Sequence, residues 1–265
     1  MEQLSLLKGN EIENNDVEAN AASKAEKTLR AEGLVKIYGG KRVVDQVSID
    51  LQEREIVGLL GPNGAGKTTT FYMIVGLTKP NEGEVFFVDQ DITNYPMYLR
   101  ARMGINYLAQ EPSVFRKLTV EQNLKAILET LDISPGEQEE RLQELLAELN
   151  LAHLSKQKAS SLSGGERRRL EITRALVTSP TFMLLDEPFA GIDPLILNDI
   201  QQIIRHLKDK GLGIIISDHN VRETLNVCDR AYIISEGRII VHGPPQKIVE
   251  SKIARSLYLG ENFNL

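Results

Sequence analysis

Three features of the sequence predict an α/β fold built on a mostly parallel sheet. Short, continuously apolar runs recur at "EIVGLL" (55–60), "TFMLLD" (181–186) and "GIIIS" (213–217), as expected for strands buried on both faces. Helical stretches separate these runs, and parallel strands need such crossovers. A glycine-rich segment, "GPNGAGKTTT" (61–70), stands at one of the strand-to-helix junctions. With 265 residues, 42% of them hydrophobic and 26% charged, the chain is long enough for one sizeable core.

Residues 1–28 are rich in Glu, Asn, Lys and Ala without sustained periodicity, which predicts a disordered or loosely helical tail. Residues 29–265 are expected to form the folded domain. From Leu29 to Gln52 the apolar residues alternate, with Gly39 and Gly40 between two such segments, as in a small antiparallel sheet. Val120 to Leu131 and Gln138 to Leu149 have apolar residues at helical spacing, so a helical insert is expected over about 112–160. "AYIISEGRIIVHG" (231–243) reads as a hairpin turning at Glu236 and Gly237.

Composition excludes several classes. No run approaches the ~20 apolar residues of a membrane helix, and no secretory leader is recognised at the N-terminus. Cys228 is the only cysteine, so no intrachain disulfide and no cysteine cluster for zinc is available, and a reducing cytoplasm fits. The net charge of -6 argues against nucleic acid as a partner. The run Arg167 to Arg169 spreads over different faces of a helix and is expected to be solvated surface with packed arginine stems.

The chemistry is concentrated in a few places. Residues 61–68 satisfy G-x-x-x-x-G-K-T, the phosphate loop. In Gly61, Pro62, Asn63, Gly64, Ala65 and Gly66 the glycines allow the backbone to wrap, so that N–H groups from Asn63 to Lys67 converge on phosphate oxygens at the positive end of the next helix. Lys67 is expected at the β- and γ-phosphates, Thr68 on Mg²⁺ and Thr69 beside the α-phosphate. In "FMLLDEP" (182–188) an apolar strand delivers two carboxylates to the sheet's carboxyl edge, where ligands bind in open α/β sheets. Asp186 there holds magnesium through water, and Glu187, one step further on, is the general base for an attacking water. His219 ends another such strand and is expected at the γ-phosphate. His153, His206 and His242 lack that placement and are read as surface or structural.

"SLSGGERRRLEI" (161–172) is a second glycine-bearing helix start, although one phosphate loop already surrounds its own phosphates on one side. The economical assignment is that Ser163, Gly164 and Gly165 serve the nucleotide of another subunit. With this motif the chain resembles the ATP-binding cassette (ABC) ATPases over residues 29–265. The shared motifs occur in the family's order: Tyr38, residues 61–68, Gln110 in "LAQEPSVF", residues 162–166, Asp186 with Glu187, "FAGID" (189–193) and His219. Taken alone, Tyr38 and Gln110 are an ordinary strand-end tyrosine and loop glutamine.

The resemblance implies a phosphate-loop NTPase fold with a RecA-like mixed, largely parallel sheet, an N-terminal antiparallel β subdomain and an inserted α-helical subdomain. It implies that ATP is sandwiched between two copies of the chain, with Tyr38 stacking on adenine and Gln110 at the magnesium and the attacking water. Two positions depart from the family's commoner pattern. Glu166 replaces glutamine and adds a carboxylate near the partner's ATP, and Phe189 replaces a small polar residue. The family also implies a groove for a permease's coupling helix, here formed by Val114, Phe115 and Arg116 with Lys117.

Within the family, "QEPSVFRKLTVEQNL", "SLSGGERRRLEITRAL", "SDHNVRETL" and "YLGENFNL" are similar to the ATPases of lipopolysaccharide export. That likeness implies a homodimer beneath two membrane permease subunits at the cytoplasmic face of a bacterial inner membrane, with the substrate lipid touching the permeases rather than this chain. ATPases of branched-chain amino acid importers are the alternative. A soluble cassette acting on nucleic acid or the ribosome is the alternative of another class; such proteins typically carry fused cassettes, a long coiled coil or basic extensions.

Overall fold

A computed structural model describes residues 27–260, 263 and 265, with the side chains of Pro194 and Leu195 excepted. The predicted tail, 1–28, lies outside the described residues up to residue 26.

The first strands, β1 (Thr28–Tyr38) and β2 (Lys41–Gln52), pair antiparallel through the turn at Gly39 and Gly40. From Val47 to Leu51, β2 buries Val47, Ile49 and Leu51 and exposes Ser48 and Asp50, so that one face packs inward and the other meets solvent. β3 (Ile56–Leu60) is buried at every position and leads through the glycine-rich segment into α1 (Lys67–Val75). Two strands outside the sequence prediction, β4 (Glu82–Phe87) and β5 (Gln90–Asp91), complete a four-stranded sheet in the order β2-β1-β4-β5.

After α2 (Met97–Arg102) come β6 (Ile105–Leu108) and the helical stretch, α3 (Val120–Leu128) and α4 (Pro135–Glu148). Both of these helices open with reciprocal capping boxes, Thr119 with Gln122 and Ser134 with Glu137. They pack through Leu124, Leu128, Leu142, Leu145 and Leu146, all buried. α5 (Gly164–Leu176), β7 (Phe182–Asp186), α6 (Pro194–Asp209), β8 (Gly213–Ser217) and α7 (Val221–Val227) follow. β9 (Arg230–Ser235) and β10 (Arg238–Gly243) form the predicted hairpin, with both Glu236 and Gly237 at positive φ as a tight primed turn requires. Short helical turns over residues 245–259 close against this end of the sheet, burying Ile248 and Ala254.

The second sheet runs β10-β9-β3-β8-β7-β6, parallel except for β10 at the edge. β7 and β8, like β3, are buried throughout, which is the physical content of their continuous apolar runs. Arg230 joins the two sheets: it pairs with Glu55 at 2.6 Å and Asp50 at 2.8 Å.

The arginine run departs from expectation at its middle. Arg168 is buried and pairs at 2.9 Å with Glu171, one helical turn on. It faces inward because α5 is covered on two sides, by α3 and α4 and by α6, which leaves little of its circumference for solvent. Arg169 reaches Asp199 on α6 at 2.8 Å.

Candidate functional site

The phosphate loop leaves the buried end of β3 and closes on the first turn of α1. Gly61 has no room for a side chain, because a Cβ there would lie 2.1 Å from the carbonyl oxygen of Ile234. Gly66, at φ 109°, caps α1 and would press a Cβ to 2.7 Å from the Val43 carbonyl oxygen. Lys67 is buried, and its ammonium donates to the carbonyl oxygens of Gly61 at 2.7 Å and Pro62 at 3.0 Å. Burial lowers its pKa, while the carboxylates of Glu187, Asp186 and Asp218 oppose that shift. Thr68 is exposed and Thr69 half-buried, whereas Thr70 turns inward and donates to the Gly66 carbonyl at 2.9 Å. Asn63 and Gly64 are exposed at the loop's tip, and Ala65 is buried.

The carboxylates stand where the apolar strand directs them. Asp186 is buried at the end of β7, its carboxyl raised above the usual range by burial, and it accepts the Tyr107 hydroxyl at 3.1 Å. Glu187 follows at φ 47°, a left-handed conformation that is costly for a residue with a side chain. A 2.6 Å bond from its N–H to the Ser217 carbonyl on β8 holds it there. Gln110 donates to Glu187 Oε2 at 2.8 Å, and His219 Nδ1 lies 3.4 Å from the same oxygen. Asp218 is fully buried, raised by that burial, and accepts the N–H groups of Phe189 at 2.9 Å and Asn220 at 2.8 Å. It therefore ties the loop after Glu187 to the loop carrying His219.

Four residues named from separate stretches of sequence, Asp186, Glu187, Gln110 and His219, thus meet at the carboxyl edge of β6, β7 and β8, with Lys67 facing their charge. Two more belong with them. Asp218 follows β8 directly, and its signal was a charged residue closing an apolar strand. Tyr107 gave no signal, since a tyrosine in a strand is ordinary.

Ser163 caps α5, at the helix start that the sequence predicts. Its hydroxyl accepts the Glu166 N–H at 3.3 Å, and Glu166 in turn accepts the Ser163 N–H at 2.8 Å. The carboxyl of Glu166 is lowered by that backbone N–H and by the Ser163 hydroxyl. Within the single chain, Glu166 accepts at the helix's own N-terminus through Oε2, as the third position of a capping box does. Helix geometry leaves the N–H groups of Gly164 and Gly165 without intrahelical partners. These donors belong to a different part of the fold from the phosphate loop: Gly165 packs against Ile196 of α6, whereas Gly66 packs against Val43, Val44 and Ile234.

Residues 44–190 match the family model described as ABC transporter. The chain belongs to the ABC transporter family. The cassette is an ATP-hydrolysing subunit of that family, and its sheets and helices have the family's fold. It is 55% identical over 237 residues to the lipopolysaccharide export system ATP-binding protein LptB of Acidithiobacillus ferridurans, covering 89% of this chain and 98% of that protein. It is 54% identical over 239 residues to LptB of Escherichia coli (strain K12), covering 90% and 99%. Among solved structures, the ADP conformation of an ATP-binding cassette of an ABC transporter superposes with a TM-score of 0.80 at 32% identity, covering 89% of this chain and 99% of that one.

Tyr38 closes β1 half exposed, with the Lys36 ammonium 5.3 Å from its ring centre. Phe115 is also half exposed, held by backbone bonds to the Asn123 side chain and stacked on the Arg174 guanidinium at 4.8 Å. Arg116 and Lys117 beside it are exposed. Val114 was expected as an apolar anchor on the same surface but is buried, in the core cluster that also holds Leu108, Leu124 and Ile172, while the next side chain, Phe115, is exposed. Among the described residues no helix is long and apolar enough to cross a membrane.

Proposed function

We propose that this cassette is the motor of a lipopolysaccharide exporter, hydrolysing ATP to drive lipid out of the inner membrane through separate permease subunits. The single observation that carries the hydrolytic part is the convergence on Glu187: Gln110 at 2.8 Å, His219 at 3.4 Å and a φ of 47° that aims the side chain off the strand end. The substrate rests on identity of 54–55% over about nine-tenths of the chain to two proteins named for that export system.

The residues fit a magnesium–nucleotide complex. Thr68 supplies a hard hydroxyl oxygen such a cation takes, Asp186 would hold it through water, and the buried Asp186 carboxyl, raised by desolvation, gains from a nearby positive charge. When bound, magnesium neutralises charge building on the phosphates. Lys67 releases its two carbonyl contacts for phosphate oxygens, and the amides from Asn63 to Lys67 hold the β-phosphate. Glu187 takes the proton of a water aligned with the γ-phosphate, while His219 and Gln110 fix the orientation of that carboxylate. Tyr38 stacks on the adenine.

The free N–H groups of Gly164 and Gly165, with the Ser163 hydroxyl, cap the γ-phosphate held by a second copy. Two sites therefore form only in a homodimer, and ATP binding closes it. Phe115, ringed by Arg116 and Lys117, is the anchor for a permease's coupling helix at the cytoplasmic face. The lipid touches the permeases alone.

Glu187→Gln should stop turnover while leaving ATP bound, trapping the closed dimer. Tagged Glu187→Gln protein, extracted from its own membranes in mild detergent, should bring down permeases with large periplasmic domains together with lipopolysaccharide. Amino acid permeases in their place would reassign it to an importer. Ribosomes or nucleic acid without membrane protein would refute transport and leave the ATPase chemistry standing.

A further inference from the structure

Asp186 has a partner on the neighbouring strand. Tyr107 lies on β6, in parallel register with Leu184 of β7, and its hydroxyl donates to Asp186 Oδ2 at 3.1 Å. Its ring meets Tyr72 of α1 edge-on, with centroids 6.1 Å apart and planes at 88°. Tyr72 in turn lies on the helix that opens with Lys67 and Thr68. The phenol is therefore clamped between the strand that ends in Asp186 and the helix that begins at the phosphate loop.

We propose that Tyr107 is a positioning residue for Asp186: its hydroxyl fixes one carboxylate oxygen, so that the other serves the nucleotide's divalent cation, and thereby sets metal affinity. The inference rests on the reading of Asp186 as the carboxylate that holds magnesium. A hydrogen-bond partner of a carboxylate that serves a metal orients it without touching metal or substrate, and losing such a partner typically costs about 10- to 100-fold in metal affinity.

Tyr107→Phe removes only the hydroxyl and keeps the ring against Tyr72. The test uses the full chain with the non-hydrolysable ATP analogue AMP-PNP, titrating Mn²⁺ and reading the unbound ion by electron paramagnetic resonance. AMP-PNP affinity is measured separately in EDTA. The expected result is a loss of Mn²⁺ affinity of about 10-fold or more with metal-free AMP-PNP affinity unchanged. Unchanged Mn²⁺ affinity overturns the proposal. So does a parallel loss of metal-free binding, which would make the hydroxyl a support of the loop.

Asp186→Asn separates the two readings. It should lose Mn²⁺ affinity whatever Tyr107 does, and adding Tyr107→Phe to it should cost nothing more. If Asp186→Asn retains full affinity, the metal assignment itself falls and the role of Tyr107 with it. Should Tyr107→Phe fail to fold, a fluorotyrosine introduced at 107 replaces it, since its more acidic phenol is a stronger donor of nearly the same shape. Tighter Mn²⁺ binding then supports the proposal, and unaltered binding overturns it.

Discussion

Asp218→Asn tests whether the loops that carry Glu187 and His219 are held to each other by one buried carboxylate. Both of its oxygens are engaged, Oδ2 with the Phe189 N–H at 2.9 Å and Oδ1 with the Asn220 N–H at 2.8 Å, and the side chain is fully buried. Asparagine keeps one acceptor and turns an NH₂ group toward the other backbone N–H, so a donor faces a donor and one amide is left unpaired. A hydrogen bond to a charged group contributes about 1.5–3 kcal/mol. The variant no longer buries a charge, which offsets part of that loss, and the net cost at neutral pH is about 1–3 kcal/mol. For a chain of this size each kcal/mol lowers the melting temperature by roughly 2–4 °C.

The catalytic consequence is larger than the thermal one. Phe189 is two residues beyond Glu187, and Asn220 is next to His219, so releasing either loop shifts the base against its partner. A displacement of about 1 Å at a reacting group costs on the order of 100-fold in rate. The pH dependence has a definite sign. Because burial raises the carboxyl of Asp218 in the folded state, that state binds a proton more readily than the unfolded chain does. Wild-type stability relative to the variant therefore rises as pH falls from neutral toward the ordinary carboxylate range. Urea unfolding of both proteins at several pH values, with phosphate release measured alongside, checks all three points. A stability gap that narrows toward acid, or a variant with unaltered kcat, refutes the argument.

Other substitutions have equally specific outcomes. Arg100 is almost completely buried and donates to four carbonyls, those of Met73 and Ile74 at the end of α1 and those of Thr93 and Tyr95. Arg100→Met should strand them and cost about 3–5 kcal/mol, read as a lower urea midpoint with m unchanged; a loss under about 1 kcal/mol would sink that account. Ser163→Ala removes the α5 cap and should cost about 1 kcal/mol in stability. In mixed dimers it should impair only the ATP site completed by the altered chain, whereas impairment of the altered chain's own phosphate loop instead would contradict capping in trans. Gly66→Ala, with its Cβ driven against the Val43 carbonyl at positive φ, should abolish nucleotide binding measured by fluorescence titration.

The sequence alone was sufficient wherever chemistry depends on residues close together in the chain. A phosphate loop is a local object: eight residues set its turns, its amides and its lysine, and it is legible at 61–68 without any tertiary contact. The buried parallel strands were legible for a similar reason, since burial on both faces removes the polar alternation. The helix cap at Ser163 also follows from local spacing.

Other features were decided by packing between distant segments. Arg168 reads as surface because its charge is visible, whereas the layers around α5 that bury it are not. Val114 and Phe115 are neighbours in sequence, yet one side chain packs into the core and the other stays outside, and nothing local to the pair says which. Asp218 and Tyr107 support the site through partners 29 and 79 residues away. Local pattern thus determines which groups can do the chemistry, and three-dimensional packing determines which of them are held in place, because the holding bonds join strands adjacent in the sheet but far apart in the chain.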